Sequence, residues 1–586
     1  MKRVPYGNMD TIPYMLSSRA AAYPSEIAYH YPEFGQRYCW SRLWDEVRML
    51  AKGFLQLGIK EGDRVALLMQ GRMELILAMY AAACIGAVSV PLNAYSKKEE
   101  LQTLLKDSGP AAMILGKEGH RQHYPEMMRE VILDCRRSGE DSSWLPKHVF
   151  VLEDGEQSFF RPFAELYALA ADRDDREAFL PACMEISAQD PFILLYTSGT
   201  LGTPKGVLRS TASFLVVPGE KSGGRHGSSW VQSATDRLAR YFPMLNLLPL
   251  YHLGGIVAIF ANLKTCNLPI LMLSHFHPIQ ALSVLSQEKC RIVMGTPFMI
   301  QQMLASPERG NYRLDSLLGV VFTSAAVTAS VLQKVTREMN LLFFMVSYGS
   351  SEAGAVANGA CFMDGRNNLL TLTLFKLLQR TRFLSGLIPY REFAANAFSL
   401  AGKVDRGVEV KIVHPETGET MAVNEQGEIA IRSHRVMRYV RENKDRACYT
   451  PDGWYKSGDL GFLDERRQLT ITGRLHRLIS RGGEKISPVE IEHALLLHRD
   501  VEDALVLGIP DELYGEQVCA CIVAKQGTRP SPDDLRDHLA PQLSAFKLPR
   551  YYVFLPSFPL SSTGKVSIAE IKLLALEHIG GMKKHA

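Results

Sequence analysis

Tyr196-Thr197-Ser198-Gly199-Thr200-Leu201-Gly202-Thr203-Pro204-Lys205-Gly206-Val207 is the stretch on which the reading of this chain turns. Phe192-Ile193-Leu194-Leu195-Tyr196, leading into it, is an apolar run of strand length. The chemistry then changes abruptly to hydroxyls, glycines and one lysine. Glycines let the backbone bend and approach a ligand with no Cβ in the way. Successive backbone N–H groups in such a bend form a concave anion site. Thr197, Ser198, Thr200 and Thr203 add hydroxyl donors, and Lys205 adds a full positive charge. The stretch reads as a phosphate loop, yet not the common one. That motif needs Gly, four residues, then Gly-Lys-Ser/Thr, whereas here Pro204 precedes the lysine.

Working outward, 586 residues are too many for one ordinary core, so two or more domains are expected. Apolar content of 46% with 22% charged residues fits a globular protein in water. A net charge of +4 is small for this length and makes no electrostatic case for nucleic acid. Ten cysteines are scattered without a Cys-x-x-Cys, which suits buried thiols in a reducing compartment better than zinc or disulfides. The N-terminus lacks an apolar signal core. The most membrane-like stretch, 75–92, carries Gly86 and Pro91 and is alanine-rich. It reads as a buried helix (74–85) leading into a strand, and the chain reads as cytoplasmic with no transmembrane segment.

From Asp10 to about Asp190, helical and strand patterns alternate. Leu43 to Leu57 has helical periodicity with Gly58 as its stop, and Arg64 to Met69 reads as a buried strand. Such alternation implies βαβ units and a largely parallel sheet. The 218–228 stretch, rich in Gly and Ser, reads as a mobile loop within an expanded 216–240 segment. A second expanded segment, 356–400, mixes leucines, phenylalanines and cations. Its 369–393 part reads either as a packed insert with cations at its edge or as a lipid-facing lid giving peripheral membrane contact.

Four further stretches accompany the loop. Tyr348-Gly349-Ser350-Ser351-Glu352 offers an aromatic face, a hydroxyl and a hard carboxylate oxygen suited to Mg²⁺, although Ser followed by an acid also caps helices. Asp452-Gly453-Trp454-Tyr455-Lys456-Ser457-Gly458-Asp459 ends in a carboxylate that can accept from two adjacent hydroxyls. Ile471-Thr472-Gly473-Arg474 follows it, and Pro559-Leu560-Ser561-Ser562-Thr563-Gly564-Lys565 closes the chain's last patterned region.

Together with the loop, these stretches resemble, in order, the motifs of the adenylate-forming superfamily, of the AMP-dependent acyl-CoA synthetase type, over about 10–576. The resemblance implies an α/β fold. A large N-terminal adenylation domain over 1–474 would combine βαβ sheets with a small β-barrel-like part. A small α+β C-terminal domain over 475–586 would rotate about a hinge near His476. It implies ATP-dependent activation of a carboxylic acid to acyl-AMP, then transfer to the thiol of coenzyme A, or of an acyl carrier protein. Lys565, Thr200, Glu352 and His252 are then the catalytic candidates. The nucleotide and thiol would be held by Thr197, Ser198, Gly199, Thr200, Gly202, Lys205, Ser324, Ala326, Tyr348, Gly349, Ser351, Asp459, Arg474 and Gly483. Glu352 is the expected Mg²⁺ ligand. No acidic residue lies between Leu247 and Asn262, which argues against an α-amino acid, whose ammonium group needs a buried carboxylate. Departures at Leu201, Ser324, Ala325 and His476 keep a non-catalytic nucleotide-binding homologue in view. No feature specifies an oligomeric state.

Overall fold

The computed structural model describes residues 9–119, 122–139, 141–153, 159–171, 179–197, 205–215, 236–264, 267–325, 327, 329–362, 399–439, 448–481, 484–511, 513–560 and 566–585. The expected mobile loop at 218–228 and the 369–393 segment lie outside them.

Two large sheets dominate, of thirteen and eight strands among the described residues. The eight-stranded sheet has a parallel core: Arg64–Leu68 lies between Val88–Pro91 and Ala112–Leu115, and His148–Val151 extends it. Strand Pro191–Thr197 adds to this core in parallel, and Lys205–Ser210 returns antiparallel beside it. The thirteen-stranded sheet has a parallel centre, from Ile270–Met272 through Met244–Asn246, Ile292–Gly295 and Gly319–Thr323 to Phe343–Ser350. Continuous apolar runs suit strands covered on both faces.

Helix Met73–Ala83 belongs to the largest core, and every residue in it except Glu74 is buried. The expected 74–85 helix is thus an interior one. No helix among the described residues is long and apolar enough to cross a membrane. Helix Trp40–Gln56 packs against it and ends before Gly58, whose φ of +79° needs no Cβ.

One expectation needs correction. Among the described residues, the β-rich region after Ser399 forms no closed barrel. Strands Ser399–Val404, Val408–Val413, Gly427–Ser433, Tyr455–Leu463 and Gln468–Arg474 continue the thirteen-stranded sheet, which has open ends. Alternating apolar residues fix that a strand forms, but not which edge it joins. The short strand Arg438–Tyr439 instead pairs with Lys205–Ser210 in the other sheet. Residues 434–437 therefore cross from one sheet to the other.

A smaller unit follows Arg474. Val501–Asp511 and Gly515–Ala524 form a long hairpin, with Ile479–Arg481 and Tyr551–Phe554 at the latter strand's edges. Helices Pro488–Leu496 and Pro532–Leu539 cover one face of it and Ile568–His585 the other. Ser487 Oγ donates to Thr472 O at 3.3 Å, and Lys334 lies 3.8 Å from Glu502, so the smaller unit touches the larger one at these places. The described cysteines are free thiols.

Candidate functional site

The candidate residues gather where strands of both sheets end at their carboxyl termini, the usual ligand position in open α/β sheets. Pro191–Thr197 brings Thr197 to this edge, and antiparallel pairing sets Lys205 directly across from it. Both legs of the loop are thereby pinned together. From the other sheet, Phe343–Ser350 carries Tyr348 and Gly349 to the edge, and its hairpin turn to Gly354–Phe362 holds Ser351 and Glu352. Thr197 Oγ1 donates to Glu352 Oε1 at 3.2 Å, joining residues 155 positions apart. The turn is built tightly. Ser350 Oγ accepts from Ala353 N–H at 3.0 Å, and Met437 N–H donates to Glu352 O at 2.9 Å. A Cβ on Gly349 would stand 2.2 Å from Gly354 O, so only glycine lets the strands close here.

Asp459 forms the second half of the site. It is 5% exposed, accepts from the Tyr348 hydroxyl at 2.8 Å, and sits 2.9 Å from Arg474 Nε. Asp459 and Arg474 are opposite one another in the antiparallel ladder, which fixes this pairing through the backbone. Burial and then the Asp459 charge hold the Tyr348 hydroxyl well above its ordinary pKa, so it stays a neutral donor. His476, in the turn after Arg474, has its pKa lowered by burial and by the Arg474 charge.

His252 precedes helix Leu253–Ala261, with its ring 4.6 Å from that of Tyr251. Gly254 and Gly255 let this helix approach its neighbours. A Cβ on Gly254 would meet Ser324 Oγ at 2.7 Å, and one on Gly255 would meet Pro249 O at 2.3 Å. Ser324 itself has φ of +68°, in the left-handed region that favours glycine. Ser324 therefore adopts the glycine-like backbone and puts its hydroxyl over Gly254. Gly255→Ala is expected to lower stability by about 1–3 kcal/mol through backbone overlap, read as a drop in the urea midpoint. An unchanged midpoint would mean that this helix start is looser than drawn.

Ser198, Gly199, Thr200, Gly202, Ala326, Gly483 and Lys565 lie outside the described residues. Sequence reasoning missed a pair of arginines beneath the Glu352 turn. Arg209 is 1% exposed and Arg435 7%. The available signal was Arg209 itself, a cation inside the apolar strand Lys205–Ser210.

Together these features define an adenylate-forming enzyme: Thr197 and Lys205 paired across strand ends, an acidic turn beside Thr197, and a buried carboxylate joined to a tyrosine and an exposed arginine. Family models agree over most of the chain. The AMP-binding enzyme model matches residues 16–439, and the AMP-binding enzyme C-terminal domain model matches 490–565. The chain belongs to the AMP-binding enzyme family, and is an AMP-forming acid–thiol ligase of the acyl-CoA synthetase type. It is 28% identical over 577 residues to the mitochondrial medium-chain acyl-CoA ligase ACSF2 of Danio rerio, covering 97% of this chain and 89% of that one. It is 28% identical over 575 residues to the putative acyl-CoA synthetase YngI of Bacillus subtilis, covering 97% of each. Among solved structures, ATP-bound MatB from Rhodopseudomonas palustris aligns with a TM-score of 0.74 at 22% identity, covering 97% of this chain and 99% of that one, which bears on the fold.

Proposed function

We propose that this protein converts a medium- or long-chain carboxylic acid, ATP and CoA into acyl-CoA, AMP and pyrophosphate through acyl-AMP. The observation that carries the reading is that the Thr197–Glu352 pair and the Tyr348–Asp459–Arg474 cluster meet at the end of strand Phe343–Ser350, where the two sheets come together. The ACSF2 relatives, named as medium-chain ligases, support the chain length. Buried free thiols support a reducing compartment such as the cytoplasm.

Asp459 accepts from both ribose hydroxyls, and Arg474 reaches ribose and phosphate. Tyr348 stacks on adenine while its hydroxyl holds Asp459. Ser324 and Ala326 border the base, and Gly349 leaves room for it. The 197–205 loop, including Thr200 and Lys205, wraps the β- and γ-phosphates, and Ser351 donates to the α-phosphate. His252 borders the carboxylate. Attack brings an anion against an anion, so neutralisation of charge dominates the barrier. Glu352 and the Thr197 hydroxyl fit Mg²⁺: they are hard oxygens 3.2 Å apart. Bound there, Mg²⁺ would supply charge neutralisation at the phosphates. Lys565 donates to the reacting carboxylate and α-phosphate during adenylation. We place the domain boundary at 474/475. Rotation of the small domain about His476 then withdraws Lys565 and brings Gly483 beside the thiol channel.

The test is a panel of carboxylic acids assayed for pyrophosphate release with and without CoA. CoA-dependent turnover on medium-chain acids is the expected result. Adenylate formation without CoA turnover would move the acceptor to a carrier-protein thiol. Silence across the panel, with AMP bound, would overturn the catalytic reading.

A further inference from the structure

The turn that carries Glu352 rests on two buried arginines. Arg209 leaves the phosphate loop along strand Lys205–Ser210 and runs beneath Gly354, where an ideal Cβ would fall 2.6 Å from its Nη2. Gly354 has φ of +71°, so this contact and the backbone both demand glycine. Arg209 Nη1 donates to Arg435 O, and Nη2 donates to Ser213 O at 3.4 Å. Its Nε is buried and finds no hydrogen-bond partner among the described residues. Arg435 Nη1 donates to Ala355 O at 2.8 Å and pairs with Asp405 Oδ2 at 2.6 Å. The backbone closes the same arrangement: Met437 N–H, two residues on, donates to Glu352 O.

A buried cation held mainly by carbonyls is costly, since desolvation is only partly recovered. Two adjacent ones are costlier. Burial, then the Arg435 charge, pull Arg209 down to about 10 from its ordinary value, while the Glu352 charge acts the other way. It is still a cation at neutral pH. The charges balance only when Glu352 is counted: two guanidinium groups against the carboxylates of Asp405 and Glu352. A Leu or Met at position 209 would fill the same space without desolvating a charge. Packing alone thus gives no reason for arginine here, whereas an anchor for the Glu352 turn does.

We propose that Arg209 is a positioning residue for the metal-side acid: with Arg435 it forms a two-cation shelf that fixes the 350–355 turn, and so aims Glu352 at Thr197. The shelf belongs to the polyphosphate side of the site, distinct from the Tyr348–Asp459–Arg474 cluster on the ribose side. It rests on the reading of Glu352 as the magnesium ligand. It therefore separates two binding events. Adenosine, which lacks the α-phosphate that Ser351 of the same turn meets, should be indifferent to the shelf, and Mg²⁺-dependent use of ATP should depend on it.

The experiment uses the full-length protein with Arg209→Met, and Arg209→Lys as the conservative variant. Three quantities are read: backbone amide exchange at 350–355, the Mg²⁺ concentration giving half-maximal acid-dependent pyrophosphate release, and metal-free adenosine affinity. For Arg209→Met, faster exchange and an increase of about tenfold in the Mg²⁺ requirement are expected, the scale of one lost hydrogen bond to a charged group. Adenosine affinity should stay within about twofold, and the lysine variant should recover only part of the loss, because one ammonium group does not span both carbonyls that the guanidinium fork reaches. Unchanged amide protection would overturn the proposal. So would a lower Mg²⁺ requirement, which would make Arg209 merely a repelling charge, or a fall in adenosine affinity parallel to a fall in Tm, which would make it a general structural residue. Should Arg209→Met not fold, Asp405→Asn loosens the shelf from the Arg435 side. The same pattern is expected there, and unaltered 350–355 exchange would again refute the shelf. Wild-type protein that binds AMP but makes pyrophosphate without Mg²⁺ would remove the metal reading and the shelf with it.

Discussion

Lys565→Ala is expected to abolish formation of acyl-AMP from acid and ATP while leaving the reaction of supplied acyl-AMP with CoA largely intact. The first half-reaction joins a carboxylate to a phosphate that already bears negative charge. Removing one preorganised cation or donor from such a site costs about 10²–10³-fold in rate. The second half-reaction has a neutral acyl carbon, a thiol nucleophile and an AMP leaving group, and on the proposed rotation Lys565 has left the site. Separate measurement of pyrophosphate release and of thioester formation from synthetic acyl-AMP distinguishes the halves. Equal loss in both would show that Lys565 serves general folding or nucleotide retention, and would return the role to another cation. Lys205 would be the first to examine, because it lies directly across from Thr197 in the ladder.

Asp459→Ala is the change expected to weaken nucleotide binding most. The carboxylate is 5% exposed and already oriented by Tyr348 and Arg474, so ribose hydroxyls meet a fixed acceptor. Its loss should raise the Kd for AMP by about 100-fold, roughly 2.7 kcal/mol, the scale of one to two charge-assisted hydrogen bonds. Tyr348→Phe keeps the ring and removes only the 2.8 Å bond to Asp459. It should cost about three- to tenfold, the scale of one hydrogen bond that orients rather than binds. Calorimetry with AMP reads both. If Asp459→Ala bound AMP as wild type does, the ribose would have to lie elsewhere. If Tyr348→Phe lost as much as Asp459→Ala, the hydroxyl itself would be the ribose contact.

Much of the site was legible because its groups lie in short linear strings at strand ends. Tyr348 through Glu352 and Asp459 each announce their chemistry within about ten residues. The alternation before Asp190 likewise implies the parallel cores that were found. What was not legible is long-range. No local pattern says that the hydroxyl of Thr197 meets the carboxylate of Glu352, or that Tyr348 supports Asp459. The barrel-like expectation failed for the same reason. Strand 399–404 could be read locally, but its choice of 354–362 and 468–474 as neighbours depends on which hydrogen-bonding edges are left open. Arg209 escaped notice because a strand cation usually points to solvent, and only the fold shows this one under a hairpin turn.

The segment 434–437, which crosses between the two sheets, has a consequence for how such an enzyme can change. The Glu352 turn hangs on this seam through Met437 and Arg435. The His252 helix makes none of these contacts, whereas strand Gly319–Thr323 pairs directly with Phe343–Ser350, the strand that leads into the turn. On the proposed roles, substitutions in the helix alter the acid accepted and leave the turn in place, whereas substitutions at the strand end reach the turn through its neighbour.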